Sequence, residues 1–183
     1  SVWSSGVAAV SAVTLSIPVA YLAVRFPRLT SRLISRVCQV GYALPGVVVA
    51  LSLILLINRG VPFLYGTPFM VVLAYIVRHI PQAVRSSESA LMGLSPSLEE
   101  AAQSLGRSPL NVVLTVVVPL IFPGLLAGGA LVFLTSLKEL PATLLLRPAG
   151  FDTLAVRVWL AASDGVYTQA APAALLLLIC AAI

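Results

Sequence analysis

Residues 99–119 read EEAAQSLGRSPLNVVLTVVVP, a short polar segment that runs through a glycine into a long apolar one. Just before it, Ser95-Pro96 suits an N-cap followed by a first helical position. Gly106 is the residue type that ends a helix in the left-handed conformation, and Ser108-Pro109 can restart one at once. The stretch therefore predicts two helices that meet at a sharp elbow.

The first of these helices is predicted to be amphipathic, with small alanine side chains on its apolar face. Its apolar residues recur at helical spacing, and its polar residues fall on the other side; the apolar set is Leu98, Ala101, Ala102 and Leu105, and the polar set is Glu99, Glu100, Gln103 and Ser104. A shallow alanine face suits close contact with another protein. The alternative is a helix lying on the membrane surface, which usually carries Lys or Arg on its polar face, whereas this face is acidic. We favour docking.

The rest of the chain is too apolar for a soluble domain. Hydrophobic residues make up 60% and charged residues 9% of the sequence, and the mean hydropathy is +1.06. A membrane-spanning helix needs about 20 apolar residues, and five charge-free windows approach or exceed that length: 1–24, 37–58, 60–77, 108–137 and 165–183. The sequence predicts an all-α membrane protein of about five transmembrane helices, the last one truncated, and a fragment of a larger protein.

Arginine distribution predicts the orientation, because short loops rich in Lys and Arg stay in the cytoplasm. Four arginines lie within residues 25–36, so this loop is placed inside. Alternation then puts residues 78–107 inside and residues 138–164 outside. We expect a multi-pass membrane protein, in contact with the lipid bilayer. The net charge of +5 then reflects membrane topology and anionic lipid headgroups, and no nucleic-acid partner is expected.

The sequence lacks features that several other classes of protein would need. It has no G-x-x-x-x-G-K-[ST] motif, so the chain cannot itself be a P-loop nucleotide hydrolase, and if it takes part in ATP-driven transport, ATP must bind a partner. An intramembrane hydrolase would need Ser4 or Ser5 beside His79, yet the predicted topology puts the serines near the outer face and His79 near the inner one. A secondary transporter would need ionisable residues inside the charge-free windows. We therefore expect no catalytic residue and no enzyme.

The sequence offers no metal or cofactor site. Cys38 and Cys180 show no metal-ligand spacing, and both are interpreted as packing residues. His79 is the only histidine, and a packing role is favoured for it over a ligand role. No metal and no cofactor are expected.

Prolines and glycines inside the windows indicate a packed, kinked bundle. Pro18, Pro45 and Pro123 each remove a backbone donor and bend a helix, which indicates either a bundle enclosing a route or harmless kinks. Gly124 and Gly128 form a G-x-x-x-G pattern that favours close approach of another helix.

The predicted outer segment contains charges that are candidates for an outer gate or for lining a transport path: Lys138, Glu139, Arg147 and Asp152. Lys138 and Glu139 are the stronger pair, because they end the fourth window. The alternative is that all four are solvated loop charges and anchors.

The elbow resembles the EAA loop of binding-protein-dependent ABC transporter permeases, whose pattern is E-A-A, three residues, G, nine residues and I-x-L-P. The residues in register are Glu100, Ala101, Ala102, Gly106, Val116, Val118 and Pro119, with valine replacing isoleucine and leucine. The resemblance implies a cytoplasmic coupling loop over 86–108 that docks on an ABC ATPase subunit. The docking residues it implies are Glu99, Glu100, Ala101, Ala102, Gly106 and Pro119.

Two further segments are similar to the ferric-iron group of these permeases: GYALPGVVVALSL at 41–53 and LKELPATLLLRPAGFDTLAVRVW at 137–159. The resemblance implies a MetI-like core over 1–183, the C-terminal half of a permease whose second core is fused or separate. It implies a solute-binding protein outside, and transport of ferric iron by alternating access. Thiamine, sulfate, phosphonate and polyamine importers share the loop and stay open as alternatives.

Overall fold

The computed structural model describes residues 1–182, and this part of the chain is helical without any strand. The all-α prediction is confirmed. The helices are α1 Val2–Arg25, α2 Leu29–Ala43, α3 Gly46–Gly60, α4 Pro68–Met92, α5 Pro96–Ser104, α6 Pro109–Val112, α7 Val118–Leu137, α8 Pro141–Leu146, α9 Leu154–Ser163 and α10 Tyr167–Ala182. The far end of the last predicted span, at residue 183, lies outside the described residues.

Three long helices, α1, α4 and α7, form the centre of the bundle. Small side chains let them approach closely, and Ala12, Ala83 and Val132 share one buried cluster. The hydroxyls of Ser16 and Ser87 lie 2.8 Å apart between α1 and α4. Such contacts replace the large apolar side chains of a water-soluble core, because lipid provides no hydrophobic drive between helices.

The G-x-x-x-G pattern packs against α4, which confirms the predicted close approach and identifies the neighbour. A Cβ atom placed on Gly124 would lie 2.5 Å from the Cβ of Ala90, and one on Gly128 would lie 2.9 Å from the Cβ of Ser86. The hydroxyl of Ser86 donates to the carbonyl oxygen of Gly124 at 2.7 Å. Glycine is therefore required at both positions, because α4 and α7 pack too closely there for a side chain on α7.

Fewer than the five predicted spans meet the criteria of length and apolar composition as single helices in the described residues. Only Val2–Arg25 and Pro109–Leu137 are long and apolar enough to cross a membrane as single helices. The predicted span 37–58 is broken into α2 and α3, which meet at 113° and together qualify as one bent span. Pro45 causes the break, because a residue before proline is pushed out of the helical region, and Leu44 has φ −85° and ψ 130°.

The predicted span 60–77 is also wrong in its bounds. α4 begins at Pro68 and continues through Arg78 to Met92, so residues 86–92 complete this helix and do not belong to a loop. The helix persists because its polar side chains turn towards the bundle; His79 and Ser87 are buried. Charge counting placed the end of the span at Arg78, since it cannot distinguish an inward-facing charge from a loop charge.

Candidate functional site

The elbow forms where the sequence predicts it. The Ser95 hydroxyl accepts the Ser97 N–H at 3.4 Å to cap α5, and Ser108 accepts the Asn111 N–H to cap α6. Gly106 between them has φ +87°, a conformation that favours glycine. The predicted boundaries and the left-handed glycine are confirmed.

The elbow is joined directly to the longest apolar helix. α6 runs through a π-helical segment, Val113–Val117, into α7, and the combined helix Pro109–Leu137 is 29 residues long. A π-helical segment of this kind often accompanies functional sites. The elbow and α7 therefore belong to one continuous helical segment.

The outer surface of the elbow is free in the described chain. Glu100, Ala101 and Gly106 are exposed, and so are the large apolar side chains of Leu105 (85%) and Leu110 (70%). Exposed apolar groups beside a polar rim are typical of a protein interaction site. We call this set the docking face.

Glu99 does not belong to the docking face. Its side chain is buried, and its carboxylate accepts the Nε–H of Arg25 at 2.7 Å and the hydroxyl of Tyr21 at 2.8 Å. Arg25 also donates to the Leu94 carbonyl oxygen at 2.9 Å. The predicted common polar face of Glu99 and Glu100 is wrong, because adjacent helical residues point about 100° apart.

The two remaining docking candidates lie at the edges of the elbow. Ala102 is half-buried and packs against the cluster that contains Leu91 and Val112. Pro119 is exposed in the first turn of α7. Their assignment to docking stays a prediction.

A second group of polar side chains lies deep in the bundle, between α4 and the turn that follows α7. Nε of Arg78 is 3.1 Å from Oε2 of Glu139, and the buried Glu139 carboxylate also accepts the Ala142 N–H at 3.4 Å. Nε2 of His79 is 3.7 Å from the same carboxylate. The predicted separation of His79 from the segment that begins at Lys138 is wrong, because His79 lies beside Glu139.

Gly46 makes room for this ion pair. A Cβ atom on Gly46 would lie 2.5 Å from Nη1 of Arg78 and 2.6 Å from Oε1 of Glu139. The segments 41–53 and 137–159, singled out separately in the sequence, therefore meet at one place. Arg78, which lies in neither, completes it.

The four predicted gate residues separate into two pairs. Glu139 and Lys138 line one cavity of about 340 Å³ with Arg78. Arg147 and Asp152 instead form an ion pair with each other. A role for any of the four in gating stays a prediction.

Comparison with known proteins gives the family. The family model described as binding-protein-dependent transport system inner membrane component matches residues 12–183. The chain belongs to this family. Its members are the membrane components of ABC importers, and the two long apolar helices agree with a multi-pass membrane protein.

Individual relatives carry names of several transport systems. The chain is 38% identical over 175 residues to the Fe(3+)-transport system permease protein FbpB 2 of Haemophilus influenzae, covering 96% of this chain and 35% of that protein. It is 30% identical over 130 residues to the putative 2-aminoethylphosphonate transport system permease protein PhnV of Salmonella typhimurium, covering 71% and 49%. It is 33% identical over 137 residues to the molybdenum transport system permease protein ModB of Escherichia coli, covering 68% and 59%. The chain thus spans only part of each relative.

Among solved structures, a chain of the inward-facing MetNI methionine ABC transporter has the same fold. The TM-score is 0.74 at 18% identity, with 98% of this chain and 87% of that chain covered. The predicted MetI-like fold is confirmed.

Proposed function

We propose that the chain is a transmembrane permease domain of an ATP-driven importer in the bacterial inner membrane. A solute-binding protein delivers the cargo outside, and the domain passes it inwards by alternating access. Family membership and fold support this proposal. A second permease core, in the same or another polypeptide, completes the path. Residues 1–183 form one such domain, with the coupling elbow within it.

The observation that carries the proposal is the double attachment of the elbow to the bundle. The docking face is exposed, while the same α5 helix is fixed to α1 through Glu99 and Arg25. Through Gly106 and α6 it is also continuous with α7. An ATPase subunit bound at Glu100, Ala101 and Gly106 therefore holds two long helices at once.

The two attached helices have a common neighbour. α1 and α7 both pack on α4, and α4 carries Arg78 and His79 beside Glu139. Closure of the ATPase subunits at the elbow displaces α1 and α7 relative to α4, and this changes the opening at the buried ion pair. ATP is bound and hydrolysed by the partner, and the chain supplies coupling and path.

Ferric iron is the cargo that we propose for this domain. Its segments 41–53 and 137–159 resemble ferric-iron permeases, and relatives from Haemophilus influenzae carry that name. In assigning the cargo we give these segments more weight than the elbow, because they meet at Gly46 and Glu139. The elbow is shared among importers of many cargos, whereas we propose that this contact lines the path of the cargo.

The test is reversal of one exposed charge in the full-length permease, co-expressed with its ATPase and solute-binding protein. Glu100→Lys should release the ATPase from the purified complex and abolish ATP-driven iron uptake, with membrane insertion retained. Asp164→Lys is the matched control, since Asp164 is exposed just after α9, outside the elbow. Unchanged co-purification and uptake in Glu100→Lys would overturn the docking assignment.

A further inference from the structure

A polar groove runs along α4 between α2 and α7. It consists of two cavities, of about 340 Å³ and about 510 Å³, which share Tyr42 and Gln82 in their walls. Arg78 and Lys138 line the first cavity, and Arg85 lines the second. We call these two cavities the polar groove.

Positive charge dominates the polar groove. Its walls carry the cations Arg78, Arg85 and Lys138 but one carboxylate, Glu139. That carboxylate is already matched by Arg78 and by a backbone N–H. The next acid along α4, Glu88, accepts the hydroxyl of Ser35 at 2.8 Å and is not part of the walls.

Two of the cations are left without a counter-charge. Within residues 1–182, neither Lys138 nor Arg85 takes part in an ion pair, and Arg85 has one long contact, 3.4 Å, to the Gln39 side-chain oxygen. Both side chains are exposed in the described chain, so a ligand that enters the groove can reach them. Ionisable residues that line a cavity of a membrane bundle mark substrate or ion pathways, and the ligand complementary to unpaired cations is an anion.

An unpartnered buried atom lies in the same wall. Nε2 of His79 has no hydrogen-bond partner in the described chain, and the side chain is 8% exposed. Buried polar atoms are nearly always hydrogen-bonded in folded proteins. The cavity thus offers an unpartnered hydrogen-bonding nitrogen beside its cations, a combination suited to an oxygen-rich ligand.

The groove is poorly suited to a bare metal cation. Residues 1–182 contain no group of three His, Cys, Asp or Glu side chains placed to hold a metal ion. Hard cations are bound in proteins by several oxygen ligands, chiefly carboxylates. A bare trivalent ion here would meet one neutralised carboxylate and two unpaired cations.

We propose that the polar groove binds oxyanion groups through Lys138 and Arg85, so that iron crosses as a negatively charged, oxygen-ligated complex. This inference rests on the proposed function and adds the chemical form of the cargo. The same recognition suits a free oxyanion, such as a phosphate-like or molybdate-like ion. The test therefore separates the two sources.

The experiment measures retention of radiolabelled probes by the full-length permease–ATPase complex in lipid nanodiscs, using equilibrium dialysis. The probes are inorganic phosphate, molybdate, citrate, and ferric citrate labelled on both iron and citrate. Lys138→Gln combined with Arg85→Gln should lower retention of the bound probe by about tenfold or more, since both unpaired cations are removed. Arg59→Gln, an exposed cation on α3 outside both cavities, should bind like the unmodified protein.

Each outcome has a defined meaning. Retention of iron and citrate together, lost in the double variant, supports passage as a complex, and retention of phosphate or molybdate supports a free oxyanion. No retention of any probe, iron retained without its anion, or equal retention by the double variant would overturn the inference. Co-purification of the ATPase tests the proposed function separately. If Glu100→Lys releases the ATPase but the unmodified complex retains no probe, the proposed function stands and only this inference fails.

Discussion

The guanidinium of Arg25, in the last turn of α1, holds the carboxylate of Glu99 in α5 at 2.7 Å, with side-chain exposures of 12% and 8%. The Tyr21 hydroxyl donates a hydrogen bond to the other carboxylate oxygen of Glu99 at 2.8 Å. The pair joins segments that are 74 residues apart in the chain. It makes α5 a part of the bundle, although the helix is only 9 residues long.

Breaking this pair should uncouple the ATPase from the membrane helices. Arg25→Glu or Glu99→Arg removes the ion pair and places two like charges side by side, which should cost at least the value of about 3–5 kcal/mol for breaking a buried pair. We expect ATPase activity that no longer responds to the loaded binding protein, and uptake reduced by about tenfold or more. The measurement is stimulated ATPase activity and uptake in proteoliposomes.

The reciprocal double variant provides the control for the same prediction. Arg25→Glu with Glu99→Arg restores opposite charges at both positions, so coupling should recover in part. Equal loss in the single and double variants would show that the pair acts through something other than its charge, and normal coupling in both single variants would contradict the attachment itself.

The elbow should depend on the left-handed conformation of Gly106. An alanine at φ +87° is strained by roughly 1–2 kcal/mol, which loosens the connection between α5 and α6. We expect Gly106→Ala to weaken ATPase co-purification at unchanged expression. Gly66→Ala is the matched control, because Gly66 has φ +72° and open space around it but lies between α3 and α4. If both variants lose the ATPase equally, general destabilisation and not the elbow is responsible.

How far the sequence predicts this structure depends on how local each feature is. The caps at Ser95 and Ser108 and the turn at Gly106 are short-range, so their residue types predict them correctly. The span boundaries failed at Arg78, because the neighbour that receives an inward-facing charge is Glu139, sixty-one positions away in the sequence. Charge patterns alone therefore end a membrane helix too early where it carries an inward-facing ion pair.

The burial of Glu99 was missed for a related reason. Helical periodicity gives relative directions within α5, but it does not say which direction meets another helix. The signal present in the sequence was Arg25, a cation at the end of an apolar window, with Tyr21 one turn earlier. The elbow offers two acids as partners for Arg25 and Tyr21. Only the three-dimensional structure shows that the partner is Glu99 and not Glu100.

Close packing of α7 on α4 should make the glycine pattern intolerant of side chains. Gly124→Val places its Cβ 2.5 Å from the Cβ of Ala90, so the helices must separate or shift, at a cost of about 1–3 kcal/mol. We expect a lower thermal-unfolding midpoint of the purified full-length protein. Gly6→Val, where no atom lies within 4 Å of the added Cβ, should leave the midpoint nearly unchanged. A similar decrease in both would contradict the specific contact.

A comparison of stability and uptake should show whether the ion pair between Arg78 and Glu139 has a structural or a functional role. Arg78→Met alone leaves the buried Glu139 carboxylate unpaired and should destabilise the protein by about 3–5 kcal/mol. Arg78→Met with Glu139→Met removes both charges, and apolar replacement of a buried pair is often neutral or stabilising. We expect the thermal midpoint to recover in the double variant while uptake stays lost, because the groove then lacks its polar wall. Recovery of uptake together with stability would instead assign the pair to packing alone, leaving Lys138 and Arg85 as the charged groups of the path.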